Sequence, residues 1–286
     1  MIFAPGGMIH CAMMAAPTPA QTLPLTGEPA IRLRRVLRRI EFVPALIVAG
    51  LLWQVASVVA RNPTILPPPL IVLRAWADLL GGDLLDDVAA SLTHLGIGYA
   101  LGVASGLLLA ALAAYSETVE AIVDPMIEVL RPIGAIAWIP LAILMFGVGG
   151  GVPIFLIFHA ALSPVFVNAF AGIKETDIRL VRAAEALGAS RATIVRRVVL
   201  PGALPLILAG ARLSLGVSWM AMIAAELTGA DAGLGWRIFW YQEFFATDKV
   251  MAVILTIGLL GYALDSAMRW LQTRVTRHRP QPDDAR

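Results

Sequence analysis

The chain has 286 residues, of which 58% are hydrophobic and only 15% are charged, and its mean hydropathy is +0.78. Ordinary soluble domains carry roughly 25% charged residues, so this chain has too little polar surface for a water-soluble globule of its size. Disorder is excluded as well, because it requires low hydrophobicity and high net charge, and the formal charge here is +2. The composition indicates an integral membrane protein.

Metal and nucleotide sites are not expected in this chain. Its single cysteine, Cys11, allows no disulfide framework and no thiolate metal centre, and its four histidines are scattered singly. The two lysines, Lys174 and Lys249, are followed by Glu and Val, whereas a Walker A loop requires Gly-Lys-Ser/Thr to hold phosphates. We therefore expect no metal, no cofactor and no ATPase site.

Six segments are candidate membrane spans, and the fold class they predict is all-α. A spanning helix needs about 20 mostly apolar residues. Five segments meet that standard without interruption: 43–60, 94–115, 152–173, 204–226 and 250–271. The sixth, 119–147, is interrupted by Pro132 and Pro140, and because proline kinks a helix we expect it to cross as a bent helix.

The basic residues predict the orientation, since short cytoplasmic loops keep Lys and Arg. Sixteen of the 22 precede the first span, lie in the loop 174–203, or lie at the end of the last span and beyond. The other side holds only Arg61, Arg74, Arg237 and Lys249. Both termini are therefore predicted to be cytoplasmic. The predicted domains are a disordered, basic extension (1–40), a membrane domain (41–273) and a C-terminal tail (274–286).

The loop between the fourth and fifth spans is the most informative segment. Thr176 or Asp177 can cap a helix start, because a short side-chain oxygen satisfies free backbone N–H groups there. Gly188 suits the left-handed residue that ends such a helix. Ser190 can then cap a second short helix, which we expect to stop at Pro201. Two short helices joined by a glycine form a compact knob, and long ordered loops are usually functional.

The loop contains a motif with fixed spacing. Two alanines are followed by a glycine, and after nine further residues by Val-x-Leu-Pro: Ala183, Ala184, Gly188, Val198, Leu200 and Pro201. The pattern resembles the EAA loop of permease subunits of binding-protein-dependent ABC transporters. In that family the loop forms the coupling helix that docks into a groove on a separate ATPase subunit. Arg182 stands where the family has its leading Glu, and Ser190 completes the predicted coupling surface.

Segments outside the loop are similar to the nitrate, sulfonate and taurine branch of that family, which also includes bicarbonate permeases. They are 66–75, 130–141, 209–219 and 224–235. The resemblance implies the type I importer permease fold, a bacterial inner-membrane location and transport of a small anionic solute. The implied partners are an ATPase subunit that binds ATP-Mg, a second permease subunit in a homodimer, and a periplasmic or lipid-anchored solute-binding protein. No nucleic acid is expected.

Two arginines inside predicted spans are candidates for the translocation path, because a charge in hydrocarbon costs roughly 3 kcal/mol and normally faces protein or water. Arg131 shares a helix face with Asp124 and Glu128, so the alternatives are pairing among them or contact with the cytoplasmic lipid headgroups. Arg212 lies near the cytoplasmic end of its span, where its side chain can instead reach the membrane surface.

Small and aromatic residues form a second group of candidates. Gly210, Ser214 and Ser218 recur every four residues, which favours close packing against another helix, although the serines are also candidates for the path. Trp138 and Trp219 fit either packing or the path. Glu226 either lies by the outer mouth or is solvated at the interface.

Three alternatives remain open from the sequence alone, one of them a non-transporting membrane scaffold, which would not need the knob formed by the loop. A secondary transporter would be expected to show inverted repeats and acidic residues at the bilayer midplane, and neither is visible. An ABC permease for a different small solute is the third alternative, because a separate binding protein would select the solute.

Overall fold

A computed structural model describes residues 44, 47–62 and 64–276. All regular structure within these residues is helical, which confirms the all-α prediction. The helices are α1 (Ile47–Ala60), α2 (Pro69–Leu80), α3 (Leu84–Tyr115), α4 (Glu117–Leu130), α5 (Ile139–Phe146), α6 (Gly151–Lys174), α7 (Ile178–Ala186), α8 (Arg191–Ile194), α9 (Leu200–Gly229), α10 (Leu234–Glu243) and α11 (Thr247–Thr276). The predicted extension 1–40 lies outside the described residues, as does most of the predicted tail.

The chain divides into two compact units at Leu52 and Trp53, and of the first only the start of α1 is described. Four helical stretches are long and apolar enough to cross a membrane: α3, α6, α8 with α9, and α11. The pair α4 and α5 qualifies as a fifth, and α1 is apolar but shorter. Together they make six candidate spans, and the chain is a multi-pass membrane protein.

The segment 119–147 is broken rather than kinked. Its two halves, α4 and the stretch from a 3₁₀ turn at Ala135–Trp138 through α5, meet at 89°. Pro132 lies in the break. Pro140 does not contribute to it, because it occupies the first turn of α5, where a missing N–H is no loss to the helix.

Helix α6 lies between α3 and α9 and packs closely on both. On α3, Gly98, Gly102 and Gly106 face α6, and an added Cβ at Gly102 would lie 2.5 Å from Cβ of Ala161. On α9, an added Cβ at Gly210 would lie 2.5 Å from Cβ of Asn168. Small residues on both sides therefore bring three backbones together, as in other membrane bundles.

The prediction that Pro201 stops the second helix of the loop is wrong. A π-helical turn at Val195–Val199 joins α8 to α9, so that Arg191–Gly229 is one continuous helix of 39 residues. Pro201 sits in the first turn of α9. A proline is tolerated there, and the wider π turn before it lets the chain continue without a stop.

Candidate functional site

Helix α7 begins and ends as its sequence predicts. The Asp177 carboxylate accepts a hydrogen bond of 2.8 Å from the backbone N–H of Arg179, so Asp177 is the N-cap. Thr176 instead donates its hydroxyl to the Gly172 carbonyl at 3.1 Å, at the end of α6. Gly188 follows α7 with φ of +77°, a left-handed conformation that other residues adopt only with strain. The Ser190 hydroxyl then accepts from the N–H of Thr193 and caps α8.

An open cleft of about 760 Å³ separates α7 from the turn that leads into α9. Four of the predicted coupling residues line it: Ala183, Ala184, Val198 and Pro201. Gly188, Arg182, Ser190 and Leu200 lie outside the lining, and Gly188 instead sets the direction of the chain between the two helices.

Helix α7 has no buried residue, and its neighbourhood exposes large apolar side chains. Leu187 is 87% exposed, and Ile178 and Leu180 are more than half exposed. Exposed apolar groups of this size beside polar ones mark an interaction surface. We call the exposed face of α7, together with Leu187, the α7 surface, and the end of the bundle that carries it the α7 end.

Arg131 lies in the break between α4 and α5 and is exposed. Within the described residues it forms no ion pair, although Asp124 and Glu128 share its helix face, so the predicted alternative of pairing among them is not seen. Arg131 borders a cavity of about 260 Å³ that is also lined by His159, Ser163, Leu213 and Val217. Trp138 lies beside this cavity, and its ring centroid is 5.3 Å from that of His159.

The remaining path candidates contact other groups of the same subunit. The Arg212 guanidinium pairs with Asp265 of α11, with Nε and Oδ1 2.9 Å apart. The Trp219 indole packs against Gly261 of α11, where an added Cβ would lie 2.9 Å from Nε1. Ser214 and Ser218 are wholly buried, and each donates its hydroxyl to a carbonyl, that of Ala211 and of Ile157 respectively. Gly210 and Ser218 therefore contact α6 of the same subunit, whereas the hydrogen bond of Ser214 stays within α9.

The opposite end of α9 holds a buried polar cluster that the sequence did not predict. Glu226 is completely buried, so the alternative of a side chain solvated at the interface is wrong. Its Oε1 lies 2.9 Å from Nδ1 of His94, and its Oε2 accepts from the hydroxyl of Ser91 at 2.8 Å and the N–H of Gly235 at 3.0 Å. The Ser91 hydroxyl oxygen also accepts from the N–H of Leu234 at 2.9 Å. Every oxygen of the buried carboxylate is satisfied.

A second ion pair continues this cluster to α10. Asp87 of α3 accepts from the guanidinium of Arg237 and from the N–H of Gly233, the latter at 3.3 Å. Burial lowers the pKa of Arg237, but the hydrogen bond and charge of Asp87 outweigh it, so the pKa is raised and the side chain stays charged.

Gly233 has φ of +109°, and an added Cβ would lie 2.5 Å from the Glu226 carboxyl carbon. Only glycine fits this position, because both the conformation and the space exclude a side chain. We call the set Asp87, Ser91, His94, Glu226 and Arg237, with the backbone of 233–235, the α10 cluster, and its end of the bundle the α10 end.

One local signal for the tight packing was present in the sequence. Gly98, Gly102 and Gly106 recur every four residues, which is the small-xxx-small pattern of closely packed membrane helices. No such signal existed for the α10 cluster, since His94 and Glu226 are 132 residues apart.

Taken together, the fold and these surfaces define a polytopic α-helical membrane protein with an exposed short helix at one end and a buried polar cluster at the other. The family model described as binding-protein-dependent transport system inner membrane component matches residues 102–277, and the chain belongs to this family. It is therefore a transport subunit of the permease class.

Individual relatives indicate which branch of the family this chain resembles. The taurine transport system permease protein TauC of Escherichia coli is 40% identical over 230 residues, covering 78% of this chain and 84% of the relative. A putative aliphatic sulfonates transport permease protein SsuC of Bacillus subtilis is 34% identical, covering 91% and 96%. These similarities confirm the predicted resemblance to permeases of the taurine and sulfonate branch.

A solved structure shares the fold. The inward-facing MetNI methionine ABC transporter has a chain that superposes with a TM-score of 0.58 at 22% identity, covering 68% of this chain and 96% of that one. The predicted ABC importer permease fold is confirmed.

Proposed function

We propose that this permease carries a small anionic solute of the taurine and aliphatic sulfonate class across the bacterial inner membrane. The similarity to TauC over most of both chains is the observation that carries this proposal. The exposed Arg131 beside a mostly apolar cavity that also holds His159 and Ser163 supports it, because a positive charge at that position favours an anionic solute.

The α7 surface docks on a separate ATPase subunit in this proposal. That partner binds ATP-Mg, and this chain binds no cofactor of its own. Three observations support the assignment: α7 has no buried residue, its apolar side chains are exposed, and a cleft lies behind it. The exposed Arg182 stands on α7 and offers the ATPase a positive charge where the family has Glu.

Two copies of the permease form the pathway, and a solute-binding protein delivers the solute at the α10 end. Closure of the two ATPases draws the two α7 surfaces together and opens the pathway toward the α10 end. Both termini are cytoplasmic in this arrangement, which follows from the excess of basic residues on the side of the α7 end.

The test of coupling is Gly188→Val. A β-branched residue at φ of +77° is strained by roughly 1 kcal/mol or more, so α7 should be displaced relative to α8. We expect uptake of taurine into vesicles containing permease, ATPase and binding protein to fall at least about fivefold, because roughly 1 kcal/mol in a coupling equilibrium corresponds to that factor. Insertion into the membrane should be unchanged.

Ala189→Ser is the matched control, because it changes the neighbouring residue without requiring unusual backbone. Protein in the membrane fraction, co-purified ATPase and taurine-stimulated ATP hydrolysis are measured together. Full ATPase retention and full stimulation in Gly188→Val would exclude α7 as the coupling element.

The orientation has its own test. In a Cys11→Ser background, single thiols introduced by Asp83→Cys and Asp231→Cys should react with an impermeant reagent added to intact cells. Ala192→Cys, expressed without the ATPase, should react only after lysis. All three positions are exposed in the subunit, so a difference in labelling reports the side of the membrane. Labelling of Ala192→Cys in intact cells would reverse the proposed orientation.

A further inference from the structure

Three unsatisfied polar atoms lie together in the membrane part of the subunit. Among the described residues, four buried side-chain atoms lack a hydrogen-bond partner: Nε1 of Trp53, Nε1 of Trp138, Nδ1 of His159 and Oγ of Ser163. The last three belong to neighbours, because His159 and Ser163 are one turn apart on α6 and the rings of Trp138 and His159 are in contact. Buried polar groups are normally paired, so such a cluster requires an explanation.

The cavity beside these atoms is large enough for a small solute. Its volume is about 260 Å³, and His159 and Ser163 form part of its wall. Apolar side chains of α9, Leu213 and Val217, also line it, as does the exposed Arg131. The cavity is therefore mostly apolar with a few polar groups, which is the usual character of a small-molecule site.

The cavity lies halfway between the two ends of the bundle. With a rise of about 1.5 Å per residue, Ser163 is about 16 Å from Lys174 and about 18 Å from Gly151, the two ends of α6. The hydrocarbon layer is about 30 Å thick, so a crossing by the whole of α6 brings the cavity near the centre of the layer. An exposed arginine and unsatisfied polar atoms at this depth are costly against lipid, which indicates that the surface faces a polar path.

We infer that His159 and Ser163, with the N–H of Trp138 beside them and the exposed Arg131, form a transient binding site for the oxyanion group of the transported solute. This inference rests on the proposed function, since it places the anion of that proposal at a defined position. The Ser163 hydroxyl and the indole N–H donate to the oxyanion, as does the Nδ1–H tautomer of His159. These are the hydrogen bonds that the described structure leaves unmade.

The groups that form the site favour weak binding and ready release of the solute. Its buried donors are a hydroxyl, an indole and an imidazole, whereas Arg131 is exposed. Hydrogen bonds between neutral donors and an anion give only modest net affinity in competition with water. A solute therefore binds with about millimolar affinity or weaker, and leaves as readily as it enters.

Chemical labelling tests the site without any transport. In the Cys11→Ser background, the thiol introduced by Ser163→Cys is exposed to two methanethiosulfonate reagents, one bearing a sulfonate and one a quaternary ammonium group. The permease alone is reconstituted in phosphatidylcholine vesicles, and each rate is divided by the reagent's rate with free cysteine. We expect the sulfonate reagent to be favoured about tenfold, and taurine to slow its reaction about fivefold.

Variants then assign the preference to particular groups. Arg131→Gln and His159→Phe should each lower the preference for the sulfonate reagent at least about threefold, since each removes a charge or a donor. Because Arg131 is exposed, Arg131→Gln keeps the test valid even if His159→Phe does not fold. Trp53→Phe is the matched control for Trp138→Phe: both remove an unpaired indole N–H, but only Trp138 lies beside the cavity.

Each outcome has a definite meaning. Equal rates for the two reagents, or an unchanged preference in Arg131→Gln, would overturn the site. Protection by added phosphatidylglycerol without protection by taurine would also overturn it, because the oxyanion would then be a lipid phosphate. A charge preference with taurine protection supports the site, and it does so whether or not the assembled transporter takes up taurine. Failure of the proposed function is thereby distinguished from failure of this inference.

Discussion

The two ends of the bundle differ in how far their side chains are buried and paired within the subunit. At the α10 end, Glu226 is completely buried, and its partners come from α3 and α10 of the same chain. At the α7 end, α7 buries nothing and Leu187 is 87% exposed. The α10 end is complete within one subunit, whereas the α7 end leaves apolar groups exposed. Under the proposed function, the first is a fixed structural element and the second is the surface that the ATPase covers.

The two ends should also differ in what a substitution costs in free energy of unfolding. A buried carboxylate is costly unless every hydrogen bond is made, and removal of one partner leaves a charge uncompensated. Exposed apolar side chains carry no comparable penalty within the subunit. Substitutions at the α10 end should therefore change the free energy of unfolding, while those on the α7 surface should change assembly.

Glu226→Gln should have the largest effect. The amide keeps the shape but replaces one acceptor oxygen with an NH₂ group that faces the hydroxyl, imidazole or backbone donors around it. We expect the free energy of unfolding to fall by about 3 kcal/mol, measured from thermal or denaturant unfolding of the purified subunit in detergent. Glu185→Gln, on the exposed side of α7, is the control and should change it by less than about 0.5 kcal/mol. Equal effects of the two substitutions would mean that the buried carboxylate is not a stabilising centre.

Gly235→Ala should have a smaller effect at the same end. An added Cβ would lie 2.6 Å from the carbonyl oxygen of Ile223 and 2.7 Å from Cβ of Glu226, so the start of α10 must move away from α9. Overpacking of this kind costs about 1–3 kcal/mol. Gly216→Ala is the matched control, because an added Cβ there meets nothing within 4 Å. If both variants unfold at the same temperature, α10 is held less tightly than the α10 cluster indicates.

Leu187→Ser should leave the stability of the isolated subunit nearly unchanged, within about 0.5 kcal/mol, because the side chain is already exposed. It should nevertheless weaken association with the ATPase about tenfold, since an apolar side chain of this size contributes up to a few kcal/mol when buried. Titration of the purified ATPase against permease in nanodiscs measures this. Unchanged association, or a clear loss of subunit stability, would contradict the contrast between the two ends.

The parts predicted correctly from the sequence depend on neighbours in the chain. The cap at Asp177, the left-handed Gly188 and the cap at Ser190 each involve partners within a few residues, so short patterns suffice to find them. The apolar spans are also local, because each is set by the composition of one segment. The pattern of the loop was sufficient to predict the family.

The parts that were missed depend on distant residues. His94 and Glu226 are 132 residues apart, and neither carries a local signal of burial, so the carboxylate could equally be solvated at the membrane surface. The ion pair between Arg212 and Asp265 of α11 could not be predicted either, because its two residues are also far apart in the sequence. The continuation through Pro201 was missed because a π turn has no distinctive sequence in Val195–Val199.

The uninterrupted helix Arg191–Gly229 has a mechanical consequence. A helix of 39 residues is about 58 Å long, and its Gly229 end lies next to α10. Leu213, which lines the central cavity, lies about four-tenths of the way from Gly229 to Arg191. A displacement at α8 is therefore passed along the helix toward this wall, reduced by any bending at the π turn Val195–Val199 and at Pro205. Because the helix does not stop at Pro201, a movement of the loop 174–203 is passed directly into α9.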